Sequence, residues 1–193
     1  AFRAGVDMVK IIAPKRAADI IASFKPDLAA YPLEGSWLEK KHLATLISMT
    51  ESAKAVSNGK ASVVIGGGMG RSVETQEVIL EFLSQVSLPV VIDTDAIHAL
   101  QKNPKVFSGK PFLITPHTYE FFILSGRTVP DDELSRLRIV EEVAANLQTT
   151  ILLKGSVDII SDGKKSLMNK TGNAFMTKGG TGDTLAGICG ALL

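Results

Sequence analysis

Residues Ser62–Asp93 read SVVIGGGMGRSVETQEVILEFLSQVSLPVVID, and this stretch decides the fold prediction. It begins and ends with a short β-branched run, Ser62–Gly66 and Pro89–Asp93, and such runs are typical of strands that are buried on both faces. Between them, apolar residues recur at helical spacing, at Val78, Ile79, Phe82, Leu83 and Val86. Strand, helix and strand in this order predict a right-handed βαβ unit with parallel strands.

The same alternation continues along the chain. Three more apolar runs predict buried strands, at Met8–Ile12, Phe112–Thr115 and Thr150–Leu153. Helical patterns cover three further segments, Arg16–Phe24, Leu43–Gly59 and Leu134–Leu147. Gly59 is expected to cap the second of these helices. Val157–Asn169 instead reads as a hairpin that turns at Asp162-Gly163. We therefore predict one α/β domain over residues 1–193, in three layers, with a mostly parallel central sheet, helices on both faces and a small hairpin.

Composition and charge exclude several classes of protein. The 193 residues carry a formal net charge of +1 with Lys and Arg scattered, so the chain has no basic patch for nucleic acid or an anionic membrane surface. Its longest apolar runs are too short to span a bilayer. The single cysteine, Cys189, allows no internal disulfide, and we interpret it as a small core residue without a catalytic role. These features predict a soluble protein of the cytoplasm.

Residues that follow the strands are the candidates for a ligand site, because ligands of open α/β sheets bind beyond the carboxyl ends of the strands. Gly66–Ser72 follows one strand and lets a ligand approach bare backbone. This loop fits neither the dinucleotide fingerprint nor the phosphate loop. An ordinary strand-to-helix turn explains it equally well, so both interpretations stay open here.

Acidic and histidine residues near the strand ends divide into two groups. Asp95 is expected to be a helix N-cap, and Asp93 stays open as a minor polar contributor near the ligand. His42 and His98 lie inside helical patterns and are expected to be structural or solvent-facing. His117 follows a strand end, where it either hydrogen-bonds a polar substrate or simply starts a helix.

Lys154 ends an apolar strand and is followed at once by Gly155. Its ammonium is placed to meet a nucleotide phosphate. The alternative is a lysine whose stem lies along the sheet edge while its charge stays in water. The adjacent glycine favours the first interpretation.

The segment Thr177–Leu193, TKGGTGDTLAGICGALL, places glycines and a carboxylate directly before an apolar helix. The first N–H groups of a helix lack partners and carry partial positive charge, so they attract an anion such as a phosphoryl group. We predict that Gly180, Thr181 and Gly182 form an anion hole and that Asp183 is a general base. The alternative, that Asp183 only caps the helix, does not explain the glycines.

Taken together, these motifs resemble a known family. GGTGD before an apolar helix resembles the anion-hole motif of ribokinase-like small-molecule kinases. The combination of VVIGGGMGRS, VVIDTDAI, LITPHTYEF, ILLKGSVDIISDG and NKTGNAFMTKGGTGDTLAGI is similar to the ADP- or ATP-dependent NAD(P)H-hydrate dehydratases. The resemblance covers essentially the whole chain and implies a ribokinase-like fold.

The resemblance implies a metabolite-repair reaction. A nucleotide, ADP or ATP with Mg²⁺, would phosphorylate the ring hydroxyl of the (6S) hydrate of NADH or NADPH, and phosphate would then be eliminated. Asp183 would be the base and a substrate contact, and the hydrate site would include His117, Gly68 and Gly70. The nucleotide would be held by Lys154, Gly155, Ser156, Val157, Asp158, Asn173, Gly180, Thr181 and Gly182. The resemblance names no metal ligands in this sequence.

Two loops depart from the family pattern. The chain has Gly66-Gly67-Gly68 where the family usually has Gly-Pro-Gly, and Lys170 where it often has Pro, after Asn169. Both changes alter loop rigidity without removing a reactive group. We also expect a strand before Ala1, further helices after the last residue, a homo-oligomer, and a fused or separate epimerase partner.

Two other functions stay open at this point. A kinase for a vitamin-precursor alcohol, of the hydroxymethylpyrimidine or thiazole type, would share Asp183 and the anion hole. The TPHTYEF and LKGSVD motifs match the dehydratases better. A catalytically silent nucleotide-binding module is the other alternative, and the intact Gly180–Asp183 motif argues against it.

Overall fold

The computed structural model describes residues 1–106 and 108–193. The strands are β1 (Lys10–Pro14), β2 (Ala29–Leu33), β3 (Val63–Ile65), β4 (Val90–Ile92), β5 (Phe112–Ile114), β6 (Thr150–Leu153), β7 (Asp158–Ser161) and β8 (Ser166–Asn169). The α-helices are α1 (Lys15–Phe24), α2 (Leu43–Val56), α3 (Val73–Gln85), α4 (Thr94–Leu100), α5 (Thr118–Ser125), α6 (Glu133–Leu147) and α7 (Thr181–Leu192). Short 3₁₀ helices form at Phe2–Ala4, Lys40–His42 and Ala174–Met176.

The central sheet has six strands in the order β3-β4-β5-β6-β7-β8. The first four are parallel, and β7 and β8 are antiparallel to their neighbours. This confirms the prediction of a mostly parallel sheet with a hairpin. Asp162 closes the hairpin turn, since its Oδ1 accepts hydrogen bonds from the backbone N–H groups of Lys164 and Lys165 at 2.8 and 2.7 Å.

Helices cover both faces of the sheet, as predicted. Along β4, Val90 and Ile92 belong to the main hydrophobic core, whereas Val91 lies in a smaller cluster on the opposite face with Ala186 of α7. Side chains alternate between the two faces of a strand, so this division marks two packed layers on either side of the sheet. No helix of the described residues is both long and apolar enough to cross a bilayer.

Helix α3 shows how local sequence fixes the packing. The Ser72 hydroxyl caps its start by accepting a hydrogen bond from the Thr75 N–H at 3.1 Å. Its apolar stripe then buries Ile79, Phe82 and Leu83 in the main core. Each side chain buried in this way stabilises the fold by about 1.5–3 kcal/mol.

The hairpin packs against α6 through a close backbone approach. Gly163 has φ +82°, and a Cβ placed there would lie 2.5 Å from the Ala145 Cα. Only glycine allows this contact, since the left-handed backbone and the missing side chain are both needed. The Ser166 hydroxyl adds a hydrogen bond to Glu141 at 3.0 Å. The hairpin is therefore attached to the outer helix as well as to the sheet.

The first predicted strand is partly wrong. The expected buried strand Met8–Ile12 lies instead at Lys10–Pro14, is only half-buried, and pairs with β2 in a separate two-stranded parallel sheet. Strand β2 was not predicted, because its sequence AAYPL has weak β propensity and contains Pro32.

The strand predicted at Ser62–Gly66 forms as β3, but it is not buried on both faces. Val64 is 48% exposed. Strand β3 is at the edge of the six-stranded sheet, so it has a hydrogen-bonded neighbour on one side only.

Helix α2 ends close to its predicted cap. Its last helical residue is Val56, and Gly59 follows with φ +82°. The Gly59 N–H donates to the Lys54 carbonyl at 2.8 Å, which satisfies a carbonyl of the last turn. The cap position itself is Ser57, so Gly59 helps to close the helix from two residues beyond the cap rather than as the cap that the sequence predicted.

Candidate active site

The predicted site residues meet where helix α7 begins. Its N-cap is Gly180, with φ +88° and no side-chain capping hydrogen bond. The Thr181 N–H donates to the Lys178 carbonyl at 3.3 Å. Within the described chain, the N–H groups of Gly182 and Asp183 have no acceptor. The helix therefore presents free donors and partial positive charge to the site.

Asp183 lies in the first turn of α7 and does not cap it. Its carboxylate makes no hydrogen bond with the described residues, and Gly180 occupies the cap position. The interpretation of Asp183 as a helix cap is therefore wrong. A Cβ placed on Gly67 would lie 3.3 Å from Asp183 Oδ1, so the carboxylate lies against the glycine-rich loop that follows β3.

The glycine-rich loop is held in place rather than loose. A Cβ on Gly66, which has φ +132°, would lie 1.7 Å from the carbonyl oxygen of Asp93, so only glycine fits there. Farther along the loop, the N–H of Gly70 and the Nε of Arg71 donate to the two oxygens of Asp95, at 2.9 and 2.7 Å. The loop can therefore offer a fixed backbone surface to a ligand.

Asp95 is not the helix N-cap that the sequence predicted. Helix α4 begins two residues earlier than expected, at Thr94, with Asp93 at the cap position. Because Asp95 does not cap the helix, its carboxylate can accept hydrogen bonds from the loop. Burial favours a higher pKa for Asp95, but the hydrogen bonds from Arg71 and the Gly70 N–H outweigh it and hold the pKa below its ordinary value.

Lys154 is the cation of the site and is surrounded by buried oxygens. Its Nζ lies 2.8 Å from Asp93 Oδ1 and 3.7 Å from Glu120 Oε2, and its side chain is 20% exposed. The Thr115 hydroxyl donates to the same Asp93 oxygen at 2.8 Å. A Cβ on Gly182 would lie 3.9 Å from this Nζ, which places the ammonium beside the start of α7. The alternative of a lysine that extends into water is wrong.

His117 caps helix α5 and remains half-exposed. Its Nδ1 accepts hydrogen bonds from the N–H groups of Tyr119 and Glu120, at 3.1 and 3.2 Å. The Glu120 carboxylate accepts from the His117 N–H at 2.8 Å, which completes a capping box. This pattern assigns the proton of the neutral ring to Nε2, which lies 3.5 Å from Glu120 Oε1. His117 is thus a helix-start residue whose exposed Nε2 can still face a substrate.

The segment Lys154–Asp158, which we call the nucleotide loop, joins β6 to β7. Asp158 closes it, because its Oδ1 accepts from the Gly155 N–H at 3.0 Å and its Oδ2 from Asn169 Nδ2 at 3.1 Å. Gly155 and Ser156 are exposed, and Val157 is partly exposed. The structure therefore brings Lys154 and Gly182 together. The rest of the nucleotide loop, residues 155–158, follows Lys154 directly.

Asn173, the last predicted nucleotide contact, caps a 3₁₀ helix. Its Oδ1 accepts from the Phe175 N–H at 2.9 Å. A Cβ on the preceding Gly172 would lie 4.0 Å from the Ser156 carbonyl oxygen, so this segment lies against the nucleotide loop. The loops around Asn173 and Gly155 are thus neighbours, as the resemblance implies.

The sequence analysis did not identify Thr115 and Glu120 as site residues. It gave Asp93 only a minor role, whereas Asp93 forms the ion pair with Lys154. The His117-x-x-Glu120 spacing was a usable signal, because it is the spacing of a capping box.

The structural interpretation of His42 is confirmed, since the buried ring lies 2.8 Å from the Glu34 carbonyl oxygen and accepts from the Glu39 N–H. His98 is partly buried, and burial lowers its pKa.

Comparison with known proteins identifies the family. The family model for NAD(P)H-hydrate dehydratase matches residues 1–193. A bifunctional NAD(P)H-hydrate repair enzyme Nnr from Pyrobaculum aerophilum is 40% identical over 195 residues, which cover 100% of this chain and 37% of that protein. An ADP-dependent (S)-NAD(P)H-hydrate dehydratase from Cenarchaeum symbiosum is 35% identical, over 100% of this chain and 65% of that protein.

A solved structure shares the fold. The ADP/ATP-dependent NAD(P)H-hydrate dehydratase from Bacillus subtilis, co-crystallised with ATP/Mg²⁺, aligns with a TM-score of 0.70 and 25% identity. The alignment covers 100% of this chain and 64% of that one. The predicted ribokinase-like fold is confirmed, since a ribokinase-like superfamily protein from Enterococcus faecalis also aligns, with a TM-score of 0.72. The chain belongs to the NAD(P)H-hydrate dehydratase family.

Proposed function

We propose that this chain carries the active site of an ADP- or ATP-dependent dehydratase that repairs the (6S) hydrate of NADH or NADPH. One observation carries the proposal: the Asp183 carboxylate has no capping role and lies against Gly67, next to free N–H groups at the start of α7. A base, a surface of bare backbone and an anion site are thus combined at one place. The family match supports this substrate class.

Phosphoryl transfer is the first step of the proposed reaction. Asp183 accepts the proton of the ring hydroxyl while the hydroxyl oxygen attacks the terminal phosphorus of the nucleotide. The bond between that phosphorus and the bridging oxygen breaks, and the shortened nucleotide leaves. The N–H groups of Gly182 and Asp183 stabilise the charge on the transferred phosphoryl oxygens.

Elimination completes the reaction. Phosphate leaves the ring carbon that carried the hydroxyl, and a proton leaves the neighbouring ring carbon, which restores the double bond. The half-exposed Nε2–H of His117 is available to hydrogen-bond the substrate, and Gly68 and Gly70 give the substrate access to the loop backbone.

Nucleotide binding is assigned to Lys154, the nucleotide loop and the segment that ends at Gly182. Lys154 is pre-positioned by Asp93, so little side-chain entropy is lost when a phosphate arrives. The name of the Cenarchaeum relative gives ADP as its nucleotide, and the Bacillus structure was co-crystallised with ATP. Either nucleotide fits the proposal.

Mg²⁺ would accompany the nucleotide. The described residues contain no group of three or more His, Cys, Asp or Glu side chains that could hold a metal ion. Mg²⁺ in phosphoryl-transfer sites is commonly held by one or two carboxylates, water and the substrate phosphates. The residues present fit an ion that is held mainly by water and the nucleotide phosphates, and the ion would neutralise phosphate charge.

A direct assay tests the reaction. The complete protein is incubated with NADPH hydrate and either ADP or ATP, and the return of the nicotinamide absorbance is followed. The vitamin-precursor alcohols serve as competing substrates, with formation of a stable phosphate ester as the readout. We expect cofactor recovery and no ester, as the family match favours. Ester formation without cofactor recovery would establish the kinase alternative instead.

The cellular setting follows from the same proposal. We infer a homo-oligomeric enzyme of the cytoplasm that works with an epimerase, either fused or separate, and the bifunctional relatives support a fused arrangement. Residues 1–193 form one catalytic domain in this proposal. Size-exclusion chromatography with light scattering on the complete protein tests the oligomeric state.

A further inference from the structure

Arg136 is a partly buried cation behind the nucleotide loop. It lies near the start of α6, and a Cβ placed on Gly155 would lie 2.7 Å from its Nη2. The guanidinium therefore packs directly on the backbone of Gly155. Its Nε and Nη2 are inaccessible to solvent and have no hydrogen-bond partner among the described residues.

The neighbouring carboxylates are engaged elsewhere. Asp158 uses both oxygens for Gly155 and Asn169. On α6 itself, Glu133 forms an ion pair with Lys170, and Asp132 caps the helix by accepting from the Ser135 N–H. No carboxylate of the described residues lies within ion-pair distance of Arg136.

An arrangement of this kind lowers stability. A guanidinium stays charged at any pH that a protein tolerates, and burying two of its nitrogens without a hydrogen-bond partner carries a desolvation cost. We expect such a destabilising charge to persist only where it contributes to function. Residues that lower stability in this way are concentrated at functional sites.

We propose that Arg136 is a positioning residue of the nucleotide loop, and that its uncompensated charge behind Gly155 strengthens the binding of the nucleotide's phosphates. This inference rests on the proposed function. Lys154 shares its charge with Asp93 and Glu120, so it offers the phosphates less net positive potential than a free lysine. Arg136 adds positive potential from the protein side, where screening by salt is weak.

Binding measurements on the complete protein test this inference. ADP and adenosine are titrated by calorimetry into the wild type, Arg136→Met and Arg136→Lys. We expect Arg136→Met to weaken ADP binding by about tenfold or more and adenosine binding by less than about twofold, because adenosine has no phosphate. Arg136→Lys keeps the charge and should restore most of the ADP affinity.

Arg138 provides the matched control, since it lies two residues away on α6 and is exposed. Arg138→Met should bind ADP like the wild type. The melting temperature of Arg136→Met should not fall, because the substitution removes two buried nitrogens that have no hydrogen-bond partner among the described residues. Unchanged ADP affinity in Arg136→Met, or an equal loss for ADP and adenosine, would overturn the inference.

Failure of this inference is distinguishable from failure of the proposed function. If the wild type binds ADP and restores the nicotinamide while Arg136→Met binds ADP equally well, only the role of Arg136 is refuted. If the wild type binds no nucleotide and restores no cofactor, the proposed function is refuted as well.

Discussion

Lys154 and Asp93 form a largely buried ion pair, with Nζ 2.8 Å from Oδ1 and Asp93 only 3% exposed at its side chain. The pair joins the ends of β4 and β6, two strands that are not neighbours in the sheet. Glu120 lies nearby at 3.7 Å from the same ammonium. The position of the Lys154 ammonium is therefore fixed by carboxylates from two other parts of the chain.

Asp93→Asn should lower stability and loosen Lys154. Removing one partner of a buried ion pair costs about 3–5 kcal/mol, and Glu120 should limit the loss to the lower end of this range. The nucleotide KM should rise because Lys154 is no longer fixed. Urea unfolding and steady-state kinetics measure both effects. The exposed pair Arg127–Glu142 is the control, and Glu142→Gln should change the free energy of unfolding by less than about 1 kcal/mol.

Asp183→Asn should lower kcat by about 100-fold or more. Positioned general bases contribute about 10²–10⁴-fold in rate, and the amide cannot accept the proton. Nucleotide affinity should change little, and the melting temperature should also stay close to that of the wild type, because Asp183 makes no capping hydrogen bond. Steady-state kinetics with a thermal melt provide the test. A kcat near that of the wild type would refute the assignment of Asp183 as the base.

Gly66→Ala should prevent stable folding or lower stability severely. The new Cβ would lie 1.7 Å from the Asp93 carbonyl oxygen, and the residue would also need a positive φ. Gly126→Ala is the control, since Gly126 has φ +69° but no atom within 4 Å of its Cβ position. The control isolates the backbone cost, about 1–2 kcal/mol. Similar unfolding midpoints for the two variants would contradict the close approach at Gly66.

Asp95 should give the fold a measurable dependence on acid pH. Its pKa is held below the ordinary value near 4, so the carboxylate contributes stability above that pH and the contribution is lost as the pH falls through the lowered pKa. Asp95→Asn should remove this part of the dependence. Urea midpoints measured between about pH 2 and pH 6 test it. The exposed Asp131→Asn serves as control and should retain the wild-type pH profile.

Cys189 should react slowly and contribute nothing to turnover. It is half-buried beside Leu185 in the small core cluster, and burial, together with the charge of Asp93, raises the pKa of its thiol. Iodoacetamide should therefore modify the folded protein more slowly than the unfolded chain at pH about 8. Cys189→Ser should keep kcat and nucleotide affinity. Loss of turnover in a folded Cys189→Ser variant would show that the thiol has a catalytic role.

Periodic features of the sequence predicted most of the fold. Buried strands such as Thr150–Leu153 and the amphipathic helix that became α3 are determined by patterns within a few residues. Strand β2 was not predicted because its pairing with β1 is a tertiary contact and because Pro32 disfavours a strand in the local sequence. Part of β1 was predicted as a strand, but its pairing with β2 in a separate sheet has no local sequence signal.

The site was predictable only where its chemistry needs a distinctive backbone. The glycines before Asp183 predict an anion hole, and the position of Lys154 at a strand end predicts a phosphate contact; the structure brings these residues together, and their roles stay predictions. The roles of Asp95 and Glu120 depend on contacts across the fold: Asp95 binds a loop 24–25 residues away in sequence, and Glu120 approaches Lys154. Arg136 belongs to no sequence motif. Its proposed role depends on the contact with Gly155, which lies far from it in sequence.

The close approach of Gly163 to Ala145 has a consequence for motion. With the Ser166–Glu141 hydrogen bond and the Lys170–Glu133 ion pair, it attaches the hairpin to α6 at three points along the helix. Segments joined in this way open together in native-state hydrogen exchange. Amide protons of the hairpin and of α6 should therefore exchange with one shared opening free energy. The nucleotide loop leads directly into β7 of that unit, whereas α7 packs mainly on β3 and β4.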